Sequence, residues 1–258
     1  MPGALAFPDP STVSFQGVDV NTLPQYRFPD PVSGRKVIRA GDPSSPRPVI
    51  LLHELGGLSQ ETVDYAAALV DAGCVVHMPL IFGSVGQQSA ARGSIQLCWS
   101  RQLTLLFSDR RPRIADWLAE FCDHLRDENG HPVVVIGMCA TGGVVFSVLM
   151  NDSVGGAVAA QPSLPFRPAK SRPDLASLGA TAADVRASAE SGKPFVGLRY
   201  QDDRICPAGR LIQIAETFGE DSTLEVPGNL HSTLVYDQND DARQRVFVLL
   251  DEVFGPND

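Results

Sequence analysis

Six short apolar, β-branched runs alternate along this chain with amphipathic stretches, and that alternation limits the possible folds more than any other feature. The runs are Val49 to His53, Cys74 to Met78, Val133 to Gly137, Val154 to Ala160, Phe195 to Tyr200 and Ser222 to Val226. Continuous apolar strands bounded by Gly and Pro suit a sheet covered on both faces. Helices are expected near Glu61 to Asp71, Arg113 to Glu128, Thr141 to Met150, Pro207 to Phe218 and Asp240 to Phe254. In the second of these, Ile114, Trp117, Leu118, Phe121, Cys122 and Leu125 fall on one face at 3.6-residue spacing, which assigns Cys122 to the core. The pattern predicts an α/β fold with a mainly parallel central sheet, helices on both faces and right-handed crossovers. Functional groups in such sheets collect at the carboxyl ends of the strands.

The 258 residues suffice for one large α/β domain, so a single domain over residues 1–258 is expected. Residues 1–34 read as an irregular segment rich in Pro, Gly, Ser and Asp, with one alternating patch, "TVSFQGVDV", suited to an edge strand or hairpin arm. Two connections are long, Gly83 to Arg113 and Gln161 to Lys193, and such connections usually form lids or carry short helices. No run approaches the roughly 18 apolar residues of a membrane span, and Met1 to Phe15 lacks the basic start and apolar stretch of a signal peptide. A cytoplasmic protein, monomeric or a small homo-oligomer, is therefore expected. The net charge of −9 disfavours nucleic acid and anionic membrane as partners, because both reward basic patches. The five cysteines show no CxxC or Cys/His ligand spacing, so neither a disulfide framework nor a zinc site is suggested.

One of those cysteines sits in "VVVIGMCATGGVVFSV", where a buried strand gives way to helical spacing within about four residues. Cys139 lies on the turn between them. A nucleophile flanked by small residues in a strand-turn-helix is the nucleophile elbow, whose sharp bend exposes the reactive atom at the end of the sheet. Most free cysteines are small core hydrophobes, so the remaining sequence has to discriminate. A thiol at an elbow acts only as thiolate, and needs a histidine to take its proton and an acid to orient the imidazole. On the order nucleophile, acid, histidine, the acid comes from "QDDRICP" after the Phe195 strand, as Asp202 or Asp203. The base is His231 of "GNLHSTLV", the only histidine after Cys139.

Upstream, "VILLHELGG" ends the first central strand. The oxyanion donors are expected to be the N–H groups of Ala140, which follows the nucleophile, and Leu55 in this loop. Glu54 is an odd neighbour for an oxyanion hole: it either points to solvent or handles the thiol proton.

These residues resemble the dienelactone hydrolase family of α/β hydrolases. "HELGG" is similar to that family's strand-end segment with a catalytic glutamate, "GMCATGG" to its cysteine elbow, "DRICP" to its acid loop and "LHS" to its histidine loop, over Val49 to the C-terminus. The resemblance implies an α/β-hydrolase fold with Cys139 as nucleophile, His231 as base, Asp203 as acid through the proline four residues later, and Glu54 as resting partner of the thiol. "CWSRQ" and "AQPSLPF" resemble one branch of the family, which leaves the substrate open. Two positions depart from the pattern. Thr141 stands where a common elbow has its first glycine, and Val235 stands where dienelactone-cleaving members have a carboxylate-binding arginine four residues past the histidine.

The segment Gly83 to Arg113 carries Arg92, Arg101, Arg110, Arg111 and Arg113 against the single acid Asp109. If it covers the elbow, Arg92 and Arg101 are candidates to bind an anionic substrate and Trp99 to line the site, although a solvated loop would look the same. The expected activity is hydrolysis of a small ester or lactone through a Cys139 acyl-thioester, with no metal or organic cofactor. The alternatives are a binding or redox-sensing module built around a reactive Cys139, and acyl transfer to an acceptor other than water.

Overall fold

The structure is a computed structural model and describes residues 19–28, 34–55, 57–86, 113–164 and 177–256. Its strands are β1 (Gln25–Phe28), β2 (Arg35–Ala40), β3 (Pro48–Leu52), β4 (Gly57–Leu58), β5 (Val75–Pro79), β6 (Ser84–Val85), β7 (Val133–Met138), β8 (Val154–Ala160), β9 (Phe195–Tyr200) and β10 (Thr223–Val226). Eight of them form one sheet in the order β1-β2-β5-β3-β7-β8-β9-β10. From β5 to β10 every neighbouring pair is parallel, whereas β1 and β2 join antiparallel at one edge. The short strands β4 and β6 pair separately, beyond the end of β3.

Helices α1 (Gln60–Asp71), α2 (Arg113–Asn129), α3 (Ala182–Glu190), α4 (Ala208–Phe218) and α5 (Asp240–Phe254) cover the sheet. Strand alternation divides the core between two faces. Val49, Leu51, Val134, Ile136, Val158 and Val196 pack with α1 and α5, and Ile50, Leu52, Val133, Val135, Ala157 and Phe195 pack with α2 and α4. Both faces of β3 and β7 are thus dry, which is why those strands read as unbroken apolar runs. This is the α/β-hydrolase architecture, with the carboxyl ends of β3, β7, β8, β9 and β10 adjacent along one rim.

Within the amino-terminal segment the described edge strand is Gln25–Phe28; of the alternating patch, Asp19 caps a short 3₁₀ turn at Val20–Thr22, and residues 12–18 lie outside the described residues. Two features differ from the sequence reading. Strand β2 was not foreseen, because Arg35, Lys36 and Arg39 break its apolar pattern. One strand in from the sheet edge, Arg35 lies 4.9 Å over the Trp117 ring while Val37 and Ile38 are fully buried. Finally, the segment expected as a helix over Thr141 to Met150 is a 3₁₀ helix, Cys139–Ser147. Two glycines followed by two valines favour the α form poorly, and every residue of the segment is buried. The connection from Gln161 to Lys193 carries α3, while residues 87–112 and 165–176 of the two long connections lie outside the described residues.

Candidate active site

Cys139 is the first residue after β7 and has φ +51°, in the left-handed region that a non-glycine residue occupies only at a cost of roughly 1–2 kcal/mol. The surroundings hold it there. Thr141 Oγ1 accepts from Met138 N–H at 3.0 Å, and its own proton faces the carbonyls of Met138, His53 and Leu52 at 2.9, 3.2 and 3.3 Å. Thr141 therefore ties the elbow to the end of β3, which is its effect at the position where the resembling family has glycine. Gly143 follows with no room for a side chain, since a Cβ there would lie 2.4 Å from Leu178 O.

Asp203 follows β9. Its Oδ1 accepts from Ile205 N–H at 2.7 Å and Cys206 N–H at 3.1 Å, and its Oδ2 accepts from His231 Nδ1 at 2.7 Å. Buried Arg199 supports the same turn from β9, donating to Cys206 O at 3.0 Å and Asp203 O at 3.3 Å and pairing with Glu225. Asp202 is exposed, so geometry selects Asp203 as the proline spacing had implied. His231 sits in the loop after β10, where Asp237 Oδ2 accepts from the N–H groups of His231 and Ser232, each at 3.1 Å. Burial by itself would lower the His231 pKa; the hydrogen bond to Asp203 and the interaction with Cys139 outweigh it and raise the value to about 10. On the other ring nitrogen, Nε2 lies 3.3 Å from Ser163 Oγ. Because the Ser163 hydroxyl donates to Gln161 O at 2.9 Å, its oxygen is left to accept from a protonated Nε2.

Glu54 closes the site from the end of β3. It is buried rather than solvent-facing, and its Oε1 accepts from Gln161 Nε2 at 3.0 Å and Ser232 Oγ at 2.5 Å. Burial pushes its pKa up, against the Ser232 hydrogen bond and His231, which pull it down. Gln161 is oriented in turn by Thr233 Oγ1, which donates to its Oε1 at 2.7 Å, and it has φ +36°. A Glu54 carboxylate oxygen, Cys139 Sγ and a His231 ring nitrogen all lie within 4.8 Å of one another, making this a candidate metal-holding group as well as a candidate proton relay. His53, also buried, is structural: its Nδ1 meets Glu54 O at 2.7 Å and its Nε2 accepts from Ile81 N–H at 3.0 Å. Burial holds its pKa down at about 4, so it stays neutral.

The structure thus brings together Cys139, His231, Asp203 and Glu54, from residues up to 177 positions apart in the chain (231 − 54). Ala140 is the second residue of the 3₁₀ helix, in its first turn, where an N–H has no partner within the helix, and Leu55 lies half-buried in the loop after β3. Arg92, Trp99 and Arg101 lie outside the described residues. Val235 is fully buried in the core. Gln161, Ser163, Ser232 and Thr233 were not foreseen; their one sequence signal is position, since all four directly follow β8 or flank His231 at the rim.

A sheet of this order with a strained thiol elbow after β7 and an Asp-His pair from the loops after β9 and β10 defines an α/β hydrolase. The match to a family description is consistent with that class: residues 37–241 match the dienelactone hydrolase family, and the chain belongs to it. Its fold is similar to that of a candidate dienelactone hydrolase from Klebsiella pneumoniae, at 13% identity and TM-score 0.62, covering 91% of this chain and 98% of the other. A dienelactone-hydrolase-like promiscuous phosphotriesterase from metagenomic libraries is similar at 16% identity and TM-score 0.60, covering 91% and 99%. An α/β serine hydrolase without a lid from Xanthomonas campestris is similar at 14% identity and TM-score 0.60, covering 92% and 97%. No curated protein matches the chain significantly.

Proposed function

We propose that this hydrolase cleaves small esters or lactones with Cys139 as nucleophile, His231 as acid and base and Asp203 as the orienting carboxylate. The observation that carries the reading is the convergence of the three groups at strand ends along one rim, with Cys139 bent into the left-handed region and Asp203 bonded to His231 Nδ1.

The thiolate of Cys139, facing protonated His231, attacks the carbonyl carbon, and the Ala140 and Leu55 N–H groups receive the oxyanion. His231 then gives its Nε2 proton to the leaving alcohol, and the acyl-thioester remains. Neutral His231 next takes a proton from water, whose oxygen attacks the thioester; the acid leaves and the thiolate–imidazolium pair is restored. Glu54 is the group beside the sulfur that keeps the thiol proton close when the pair is discharged. A thiolate suits activated esters and lactones, and amides are expected to react weakly or not at all. The arginine excess of the Gly83 to Arg113 segment, Arg92 and Arg101 included, supports an anionic substrate.

The test is hydrolysis of p-nitrophenyl acetate and a small aryl lactone by wild type, Cys139→Ala and His231→Ala. Both variants should lose about 10³-fold or more in kcat/KM, with an acyl adduct on Cys139 trapped by mass spectrometry in the wild type. Equal rates in all three proteins would overturn the assignment.

A further inference from the structure

We propose that Cys139, His231 and Glu54 also form a reversible site for one borderline-soft divalent cation, best matched by Zn²⁺, and that its occupancy blocks the thiolate. The blocking half rests on Cys139 being the reactive thiol of the function proposed above; the binding half does not.

The donor set carries the inference. A thiolate, an imidazole nitrogen and a carboxylate oxygen are the three ligand types of zinc, and here their atoms already lie within 4.8 Å of one another. In a tetrahedral zinc shell, with bonds of about 2.0–2.3 Å, neighbouring ligand atoms stand roughly 3.4–3.6 Å apart. The widest pair therefore has to close by about 1.2–1.4 Å at most, a movement within side-chain reach. The three ligands come from the ends of β3, β7 and the loop after β10, so their sequence spacing of 85 (139 − 54) and 92 (231 − 139) residues resembles no metal motif.

Two of the three ligands are also oriented from behind. His231 Nδ1 is held by Asp203 at 2.7 Å, which leaves Nε2 as the ligating nitrogen in a carboxylate–histidine–metal arrangement. Among the described residues, the hydrogen bonds to Glu54 fall on Oε1, from Gln161 and Ser232, which leaves Oε2 to coordinate. The thiolate and carboxylate together supply two negative charges, which offsets the cost of burying a dication. Three protein ligands leave the fourth position to water. The sulfur ligand selects against Mg²⁺ and Ca²⁺, which prefer oxygen. A bound cation would occupy the sulfur lone pair that attacks the carbonyl and the Nε2 that carries the proton, so coordination and catalysis exclude each other.

Co²⁺ serves as the spectroscopic probe, on untagged, reduced, full-length protein freed of metal. One equivalent per chain should produce a thiolate-to-cobalt charge-transfer band that Zn²⁺ displaces. The band should vanish in Cys139→Ala, which retains Cys74, Cys98, Cys122 and Cys206, and Asp203→Asn should bind about 10–100-fold more weakly. Zn²⁺ should protect Cys139 from iodoacetamide and stop ester turnover, with EDTA reversing both. A missing band, or one retained in Cys139→Ala, overturns the site. Saturating Zn²⁺ that leaves alkylation and turnover unchanged, or raises turnover, overturns the block. Alkylation reads the thiol directly, so a protein with no esterase activity would sink the hydrolase assignment while the band and the protection still decide the metal site.

Discussion

Replacing Asp203 by Asn tests whether one carboxylate sets the protonation of the whole relay. The two oxygens of Asp203 have different tasks. Oδ1 receives the N–H groups of Ile205 and Cys206 at 2.7 and 3.1 Å, and Oδ2 receives the His231 Nδ1 proton at 2.7 Å. An asparagine has one oxygen for both. Turning its NH₂ toward the loop would set donor against donor and leave two backbone N–H groups unpaired, a penalty of roughly 2–4 kcal/mol. The oxygen therefore faces the loop in more than about 95% of molecules, since 1.4 kcal/mol is a factor of ten. The NH₂ then faces His231, Nδ1 has to accept, and the ring proton moves to Nε2, where it prevents the ring from acting as base. An analogous substitution in serine proteases costs about 10⁴ in kcat; a thiolate depends less on its base, so about 10²–10⁴ is expected here. Water activation should suffer more than thiol attack, giving a burst of p-nitrophenol followed by slow steady turnover. The assay is stopped-flow hydrolysis of p-nitrophenyl acetate, with thermal unfolding as the folding control. A well-folded variant within about tenfold of wild type, with no burst, would refute the argument.

Two further outcomes follow from the same geometry. Thr141→Val leaves the buried Met138 N–H without its acceptor and should destabilise by about 1–3 kcal/mol, a fall of several degrees in Tm that Thr141→Ser largely restores; an unchanged Tm in the valine variant would contradict the role given to this hydroxyl. Stability should be greatest near pH 6.5. His53 and His77, held by burial at pKa values of about 4 and about 3, take up protons on unfolding once the pH drops below the ordinary histidine value of 6.5, so stability falls from pH 6.5 toward 4. His231, raised to about 10, releases its proton on unfolding above pH 6.5, so stability also falls from there toward pH 10. His231→Ala should flatten the alkaline limb and leave the acid one; an alkaline limb of unchanged slope would disprove its origin.

Much of the scaffold was legible because burial on both faces leaves a plain mark. Val133 to Gly137 is an unbroken apolar run and Phe195 to Tyr200 is broken only by Arg199, since both of their sides are buried, and the structure places β7 and β9 there. Strand β2, one in from the edge, was hidden because Arg35, Lys36 and Arg39 make it look like a loop when read in one dimension. The elbow showed in the same way, as a small-residue break between two apolar segments.

Residue type and order along the chain alone determined a sheet with a cysteine turn, an acid loop and a histidine loop after later strands, because local burial and turn chemistry are written in neighbouring residues. Only the tertiary structure decided which aspartate meets His231, that Thr141 bonds backbone at the end of β3, and that Gln161 and Ser232 hold Glu54 beside the sulfur. Those contacts join residues from 28 to 178 positions apart, and hydrogen bonds of that span depend on how strand ends meet in space.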